Sequence, residues 1–477
     1  MAASISSNDA IKYYITGAEV EPISTAADKS IIGQLSEYIA RARGIELPEN
    51  VSIRARHHIL DAIAAMISGS VLPPGRLAIR YTRGQAGAQE ARVIGSQLLT
   101  TAVNAALANG VMAHSDETDD SHAPSSTHPG CAIVPAALAM AEREGADGRA
   151  LLRAVVAGYD VGCRVTQALG PSFLSGKGLS SHSIGGTFGA AAAGASLANL
   201  NPIEVSYALS YAAQQASGVK AWVQSADHIE KAFDFAGMPA RNGVTAVTLV
   251  QAGFTGVADV FQGEQNFLKA YSDDPKAAEL VRGLGSDFEI MRANIKRFCV
   301  GSAIQAVLDA LLQIIGEHRV TADDVDYLVA RVPENGGRIV NDRNMPNVNL
   351  QYILAVALLD GGLTFAAAHA YERMKDPRVL AVKSRIKLEL DPELTHARPR
   401  RQGIVELHTK DHRTLRVHVK SVRGTADNPM SDREVEDKAR DLVAPVLGSE
   451  KCEKLLALVN NLELVADVRE LSSTLAN

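Results

Sequence analysis

From about residue 30 to residue 295 the chain is rich in alanine and its apolar positions follow helical spacing. Several helices announce their starts. Asn201-Pro202-Ile203-Glu204 supplies an N-cap, a proline at the first helical position and a carboxylate three residues in. Ala132 to Ala141 has almost no polar face, which predicts a helix enclosed by other helices. Gly185 to Gly194, continued by Ala195 and Ser196, is nearly all small residues, so this helix is expected deep in a helical core. Leu98 to Ala113 is expected to form a further helix.

The pattern changes after about residue 320. Val325 to Val332 reads as a strand, and Ile386, Leu388 and Leu390 alternate with Lys387 and Glu389 at period two. Val405 and Leu407, then Leu415, Val417 and Val419, flank a polar turn at Lys410 to Arg413, which predicts a hairpin. Helical spacing returns after Pro429, where Ser431-Asp432-Arg433-Glu434 forms a capping box and Ser449 is expected to cap another helix. The expected architecture is mainly α with an α+β second domain. A flexible tail (1–30) precedes a large helical domain (31–295), then a smaller α+β lid domain (296–430) and C-terminal helices (431–477) that return to the first domain.

Composition narrows the function classes. The 477 residues carry a formal net charge of -6 and a sequence pI near 6.1, which speaks against a nucleic-acid partner but not against small anions. Cys131, Cys163, Cys299 and Cys452 are scattered without a CxxC pair, as expected for buried thiols in a reducing, cytoplasmic setting. No long uncharged apolar run predicts a membrane span, and the first 30 residues lack the apolar stretch of a secretory signal.

One segment is dense in chemistry. Residues 114–130 read HSDETDDSHAPSSTHPG, with Asp116, Glu117, Asp119, Asp120, His114, His122 and His128 inside fifteen positions. Pro124 and Pro129 keep it out of regular helix. Clustered carboxylates raise one another's pKa and charged imidazoles lower them, an environment used for proton transfer. A solvated polar loop and a zinc or manganese site are the alternatives. No standard ligand spacing such as HExxH supports the metal. Elsewhere, His182 precedes the small-residue helix, where free N–H groups can hold a carboxylate. Lys231 and Lys296 each lie among apolar neighbours, either as snorkelling surface lysines or as functional cations.

These features taken in order resemble the MmgE/PrpD family over about residues 35–445. The resemblance rests on Ala113 to His122 followed by Thr127-His128-Pro129, and on Ala91-Arg92-Val93-Ile94-Gly95 and Ala157-Gly158-Tyr159-Asp160. It also rests on Gly186 to Ala191, Met238 to Gly243, Gly253 to Gly256, Arg423-Gly424 and Asn428 to Ser431. Family activities include 2-methylcitrate dehydratase, cis-aconitate decarboxylase and iminodisuccinate epimerase. The resemblance implies a homodimer without metal or organic cofactor, with an active site between the domains that takes a small polycarboxylate. A dehydratase-like lyase is the expected activity. Epimerisation, decarboxylation, a metal-dependent reaction and a catalytically degenerate binding protein are the alternatives.

By that resemblance His128 and His182 match two pocket histidines and form the acid–base pair. Lys231 and Lys296 match two lysines and clamp carboxylates. Glu117 and Asp120 would orient imidazoles or the hydroxyl of Ser121, which replaces a threonine. His122, Asp119 and Arg297 are expected against the substrate. The chain departs from the pattern after Lys231, where Ala232-Phe233-Asp234-Phe235-Ala236-Gly237 replaces a histidine–glycine. It departs again after Lys296, where Cys299-Val300-Gly301 and Ile304-Gln305 stand in place of a further histidine.

Overall fold

The computed structural model describes residues 29–85, 87–225 and 227–477. The expected N-terminal tail falls outside the described residues up to position 28. Ser30 already caps the first helix, its Oγ accepting from the Gly33 N–H.

The protein consists of a large helical domain and a smaller α+β domain, each with its own apolar core. Helices Gly130–Glu144, Gly148–Leu169, Ser181–Leu197 and Met238–Gln251 form the centre of the first. Every residue from Ala132 to Ala141 is buried, as a helix without a polar face requires. The small residues of Ser181–Leu197 let its backbone touch that of Gly148–Leu169: a Cβ on Gly162 would stand 2.5 Å from the Gly185 carbonyl oxygen. This contact fixes the N-terminal turn of the small-residue helix, which carries His182.

The capping boxes at Asn201 and Ser431 are both formed. Two expectations are corrected. The helix expected from Leu98 begins at Ala102, because Leu99 and Thr100 pair with Arg92 and Ala91 and Thr101 supplies the cap. Ser449 is the first helical residue rather than the cap; Gly448 occupies that position with no side-chain bond to offer.

The second domain holds a four-stranded sheet, in the order 386–391, 325–333, 403–409, 414–419. The first two strands are parallel, with Leu328 opposite Ile386, and the rest are antiparallel. Val405 faces Val417 and Leu407 faces Leu415 across the hairpin. Helices Gln305–His318 and Leu350–Asp360 pack into the core beneath the sheet.

The two parts are stitched at the acidic segment. Ser121 and His122 pair with Asn294 and Ala293, and Ile295 donates to the Gly424 carbonyl at 2.9 Å. Helices Asp432–Leu447 and Ser449–Asn460 pack into the first core, and Lys438 bonds Asp61 at 2.5 Å and the Thr118 carbonyl at 2.9 Å. Among the described residues no single helix is long and apolar enough to cross a membrane.

Candidate active site

The acidic segment leaves helix Ala102–Ala113 at His114 and returns to helix at Gly130. It is not a solvated loop. His114, Glu117, Asp119 and His128 are all buried, and burying so many charges requires partners. Those partners arrive from four places in the chain.

Asp119 Oδ2 lies 3.0 Å from His128 Nδ1 and 2.9 Å from His114 Nδ1. The His128 contact is an aimed hydrogen bond, whereas the His114 contact is charge proximity only. Asp119 Oδ1 lies 3.5 Å from Lys296 Nζ. Glu117 accepts from Lys231 through one oxygen and from Lys296 at 3.4 Å through the other. His228 Nε2 stands 3.9 Å from Glu117. The imidazoles form a chain, with ring centroids 5.2 Å apart for His182 and His128, 5.3 Å for His128 and His114, and 5.1 Å for His114 and His228.

Local folding delivers each group. His182 sits in the first turn of the small-residue helix behind the Ser180 cap. His228 and Lys231 are three residues apart and so share a helical face. A single π-turn over Phe233–Gly237 follows, a distortion often found at functional sites. It carries Phe235, whose ring stacks on His182 at 3.6 Å and on His114 at 4.5 Å. Lys231 lies over the Phe235 and Trp222 rings. The 293–294 strand, paired to Ser121–His122, brings Lys296 back to the acidic segment.

The electrostatics separate the groups by role. Burial opposes the Glu117 carboxylate, but Lys231 and Lys296 outweigh it and hold its pKa well below the usual range. Burial likewise opposes Asp119, and His114, His128 and Lys296 overcome it. Lys296 stays a cation despite its burial, because Asp119 and Glu117 raise it. Burial lowers His128 to about 4 even though Asp119 pulls the other way. Burial and neighbouring positive charge push His182 and His228 well below the normal imidazole range. At neutral pH the site therefore combines charged carboxylates and an ammonium with three neutral imidazoles, which are free bases.

Several residues singled out in the sequence lie elsewhere or act differently. Glu117, expected to orient an imidazole or the Ser121 hydroxyl, holds Lys231 and Lys296 and has His228 3.9 Å away, and no bond to Ser121 is formed. Asp120 turns away from the cluster and accepts from Tyr159 at 2.6 Å and the Gly130 N–H at 2.9 Å, with His58 Nδ1 at 2.9 Å. Its place is to pin the segment. Ser121 accepts from Arg401 at 3.2 Å. His122 faces Glu289 at 3.2 Å and Ser125 at 2.7 Å in a separate buried pocket of charge. Arg297 pairs with Asp309 at 2.9 Å and is partly exposed. Asp119, expected against the substrate, is hydrogen-bonded to His128 and lies 3.5 Å from Lys296.

Four residues had no assigned role in the sequence: His114, His228, Arg401 and His369. His114 stood in the acidic segment, and the three-residue spacing of His228 from Lys231 was a usable signal. His369 approaches Asp116 at 2.7 Å from more than 200 positions away, and no local pattern announces that. His114, Asp119 and His128 could together accept a cation, and so could His114, Glu117 and His228, with ligand atoms within 4.8 Å of one another. Lys231 and Lys296 already neutralise both carboxylates, so a metal ion would compete with them.

Residues 33–280 match the MmgE/PrpD N-terminal domain and residues 298–464 match the MmgE/PrpD C-terminal domain. The chain belongs to the MmgE/PrpD family. Among characterised MmgE/PrpD relatives, human cis-aconitate decarboxylase is 25% identical over 465 residues, covering 94% of this chain and 95% of its own. Cis-aconitate decarboxylase of Aspergillus terreus is 22% identical over 472 residues, covering 93% and 96%. The cis-aconitate decarboxylase-like protein oryM of Aspergillus oryzae is 25% identical over 480 residues, with the same coverage. The N-terminal match contains the cluster from His114 to Lys231, whereas Lys296 lies in the short stretch between the two matched ranges.

Proposed function

We propose that this MmgE/PrpD protein is a lyase acting on a small tricarboxylate, and that decarboxylation of a cis-aconitate-type acid is its best-fitting reaction. The observation that carries the reading is the buried juxtaposition of Lys231 and Lys296 with the neutral imidazoles of His128 and His182. The names of the relatives agree with it.

The chemistry follows from the substrate. Loss of carbon dioxide from the CH2-bound carboxylate leaves an electron pair. That pair moves through the double bond to the carbon beside another carboxylate, which becomes enolate-like. This carbon must then take one proton, giving an unsaturated dicarboxylate and carbon dioxide. Ammoniums stabilise the developing charge, and an imidazolium or ammonium supplies the proton. A polyanionic substrate also raises the imidazole pKa values from their depressed level, because negative charge nearby favours the protonated ring. Binding thereby converts His128 from a base into an acid.

Dehydration of a hydroxylated acid such as 2-methylcitrate is the second reading. Two neutral imidazoles with centroids 5.2 Å apart provide a base and, after proton transfer, an acid for the departing hydroxide.

A melting-temperature panel with citrate, 2-methylcitrate, cis-aconitate and amino-dicarboxylates, followed by turnover of the best binder, tests the proposal. A ligand for the folded state must raise the melting temperature. Stabilisation by cis-aconitate with release of carbon dioxide supports decarboxylation. Water loss from 2-methylcitrate without decarboxylation selects the second reading, and no stabilisation by any tricarboxylate rejects both.

A further inference from the structure

Lys231 and Lys296 are both already matched by Glu117 and Asp119. A third cation stands beside them with no such partner. Arg401 lies in the loop between helix Pro392–His396 and strand Gly403–Thr409 of the second domain. Its only hydrogen bond among the described residues is Nη1 to Ser121 Oγ, at 3.2 Å, and no carboxylate lies within ion-pair distance. Its charge nevertheless reaches the site: Glu117 acts on Arg401, and Arg401 acts on Lys296.

The loop holds this arginine in place. Its backbone is left-handed, with φ of 66°, a conformation that a non-glycine residue keeps only where surroundings impose it. The next residue supplies that restraint. Gln402 donates to the Pro399 carbonyl at 2.9 Å, and its Oε1 lies 2.8 Å from His418 Nε2 on the neighbouring strand. Arg401 is an exposed residue, and four of its five N–H donors make no hydrogen bond among the described residues. A planar fork of donors without a carboxylate is suited to bidentate capture of one.

Resting on the tricarboxylate reading above, we propose that Arg401 is a substrate-binding residue: it takes one carboxylate at the mouth of the site while Lys231 and Lys296 hold the other two. Three cations then face three carboxylates, which makes Arg401 the group that separates tricarboxylates from dicarboxylates. The second domain contributes it, so the site is complete only when both domains are in place.

The test compares two non-reacting probes, tricarballylate and glutarate, which share a carbon chain and differ by the central carboxylate. Their binding to the full-length protein is measured by calorimetry for wild type, Arg401→Gln, Arg401→Lys and Ser121→Ala. Losing a charge-assisted bidentate contact is expected to weaken tricarballylate about 10–100-fold in Arg401→Gln. Glutarate affinity should stay within about threefold, and Arg401→Lys should fall between, keeping the charge but losing the fork. Ser121→Ala, which only removes the loop contact, should leave the preference for three carboxylates in place.

Equal weakening of both probes in Arg401→Gln, or of neither, overturns the assignment. So does a loss in Ser121→Ala as large as that in Arg401→Gln, which would make the arginine a domain tie. Failure of the wild type to bind tricarballylate or cis-aconitate at all overturns the lyase reading, and the role of Arg401 with it. Binding by the wild type with an indifferent Arg401 overturns the role of Arg401 alone.

Discussion

Asp119 Oδ2 receives its hydrogen bond from His128 Nδ1 at 3.0 Å, and both groups are buried. With Nδ1 donating to the carboxylate, Nε2 is left as the basic nitrogen of the ring. Asp119→Asn should keep the fold but lower turnover by at least about 100-fold, since general acid–base groups contribute on that scale. It should also lower the His128 pKa further, because the carboxylate raises it. The pH–rate profile together with the melting temperature checks this; near-native turnover would remove Asp119 from the site.

Substrate binding should take up protons. The protein's own groups keep His128 neutral, with its pKa pushed down to about 4, and three substrate carboxylates reverse part of that shift. Calorimetry at pH 7 in buffers of different ionisation enthalpy should show uptake approaching one proton per site. Binding that is pH-independent and releases no buffer heat would mean the imidazoles stay neutral.

Acid should weaken the fold through the same ring. In the unfolded chain His128 gains its proton near 6.5, whereas in the fold it waits until about 4. Between those values the unfolded chain binds more protons, so stability falls as pH drops through the window. The effect of this one residue reaches about 3 kcal/mol at the acid end. His182 and His228 act in the same direction. Urea denaturation at pH 7.5 and 5.0 should show a smaller acid loss in His128→Asn than in wild type. An equal loss in the two proteins contradicts the buried neutral state.

His369 reaches Asp116 at 2.7 Å from the segment after helix Phe365–Ala368 of the second domain. Burial opposes protonation of this imidazole, but Asp116 raises it above normal. As a positioning residue it should affect turnover through the acidic segment. His369→Ala is expected to lower kcat about tenfold with little change in tricarballylate affinity. A fall in affinity with kcat intact would place His369 against the substrate instead.

Chelation should not affect activity. Lys231 and Lys296 occupy the carboxylates that a cation would need. Activity that disappears with EDTA and returns with one divalent metal would contradict this and point to His114 with Asp119 and His128, or with Glu117 and His228, as its ligands.

The parts of this account that were legible in the sequence share a physical feature: the information is local. A helix without a polar face has to be enclosed, as Ala132 to Ala141 is. Alternating apolar residues on both sides of a polar turn have to form a hairpin, as 403–419 does. The density of acid and imidazole in 114–128 likewise marked the site without any partner in view. What was hidden depends on residues far apart. Ser121 and Arg401 meet across 280 positions and Lys296 and Glu117 across 179. The orientation of Asp120 toward Tyr159 and His58, rather than toward His128, is set by how three helices pack. Adjacent aspartates look alike in sequence, and only packing tells which one faces the imidazole.

The central claim is most directly tested by proton NMR of cis-aconitate incubated with the protein in deuterated water. The expected result is loss of one carboxylate as carbon dioxide and a dicarboxylate product carrying deuterium at the carbon beside a remaining carboxylate, with His128→Ala and His182→Ala each slowed about 10²–10⁴-fold. Unchanged cis-aconitate with no solvent deuterium in any tricarboxylate offered, or near-native turnover in both histidine variants, would contradict it.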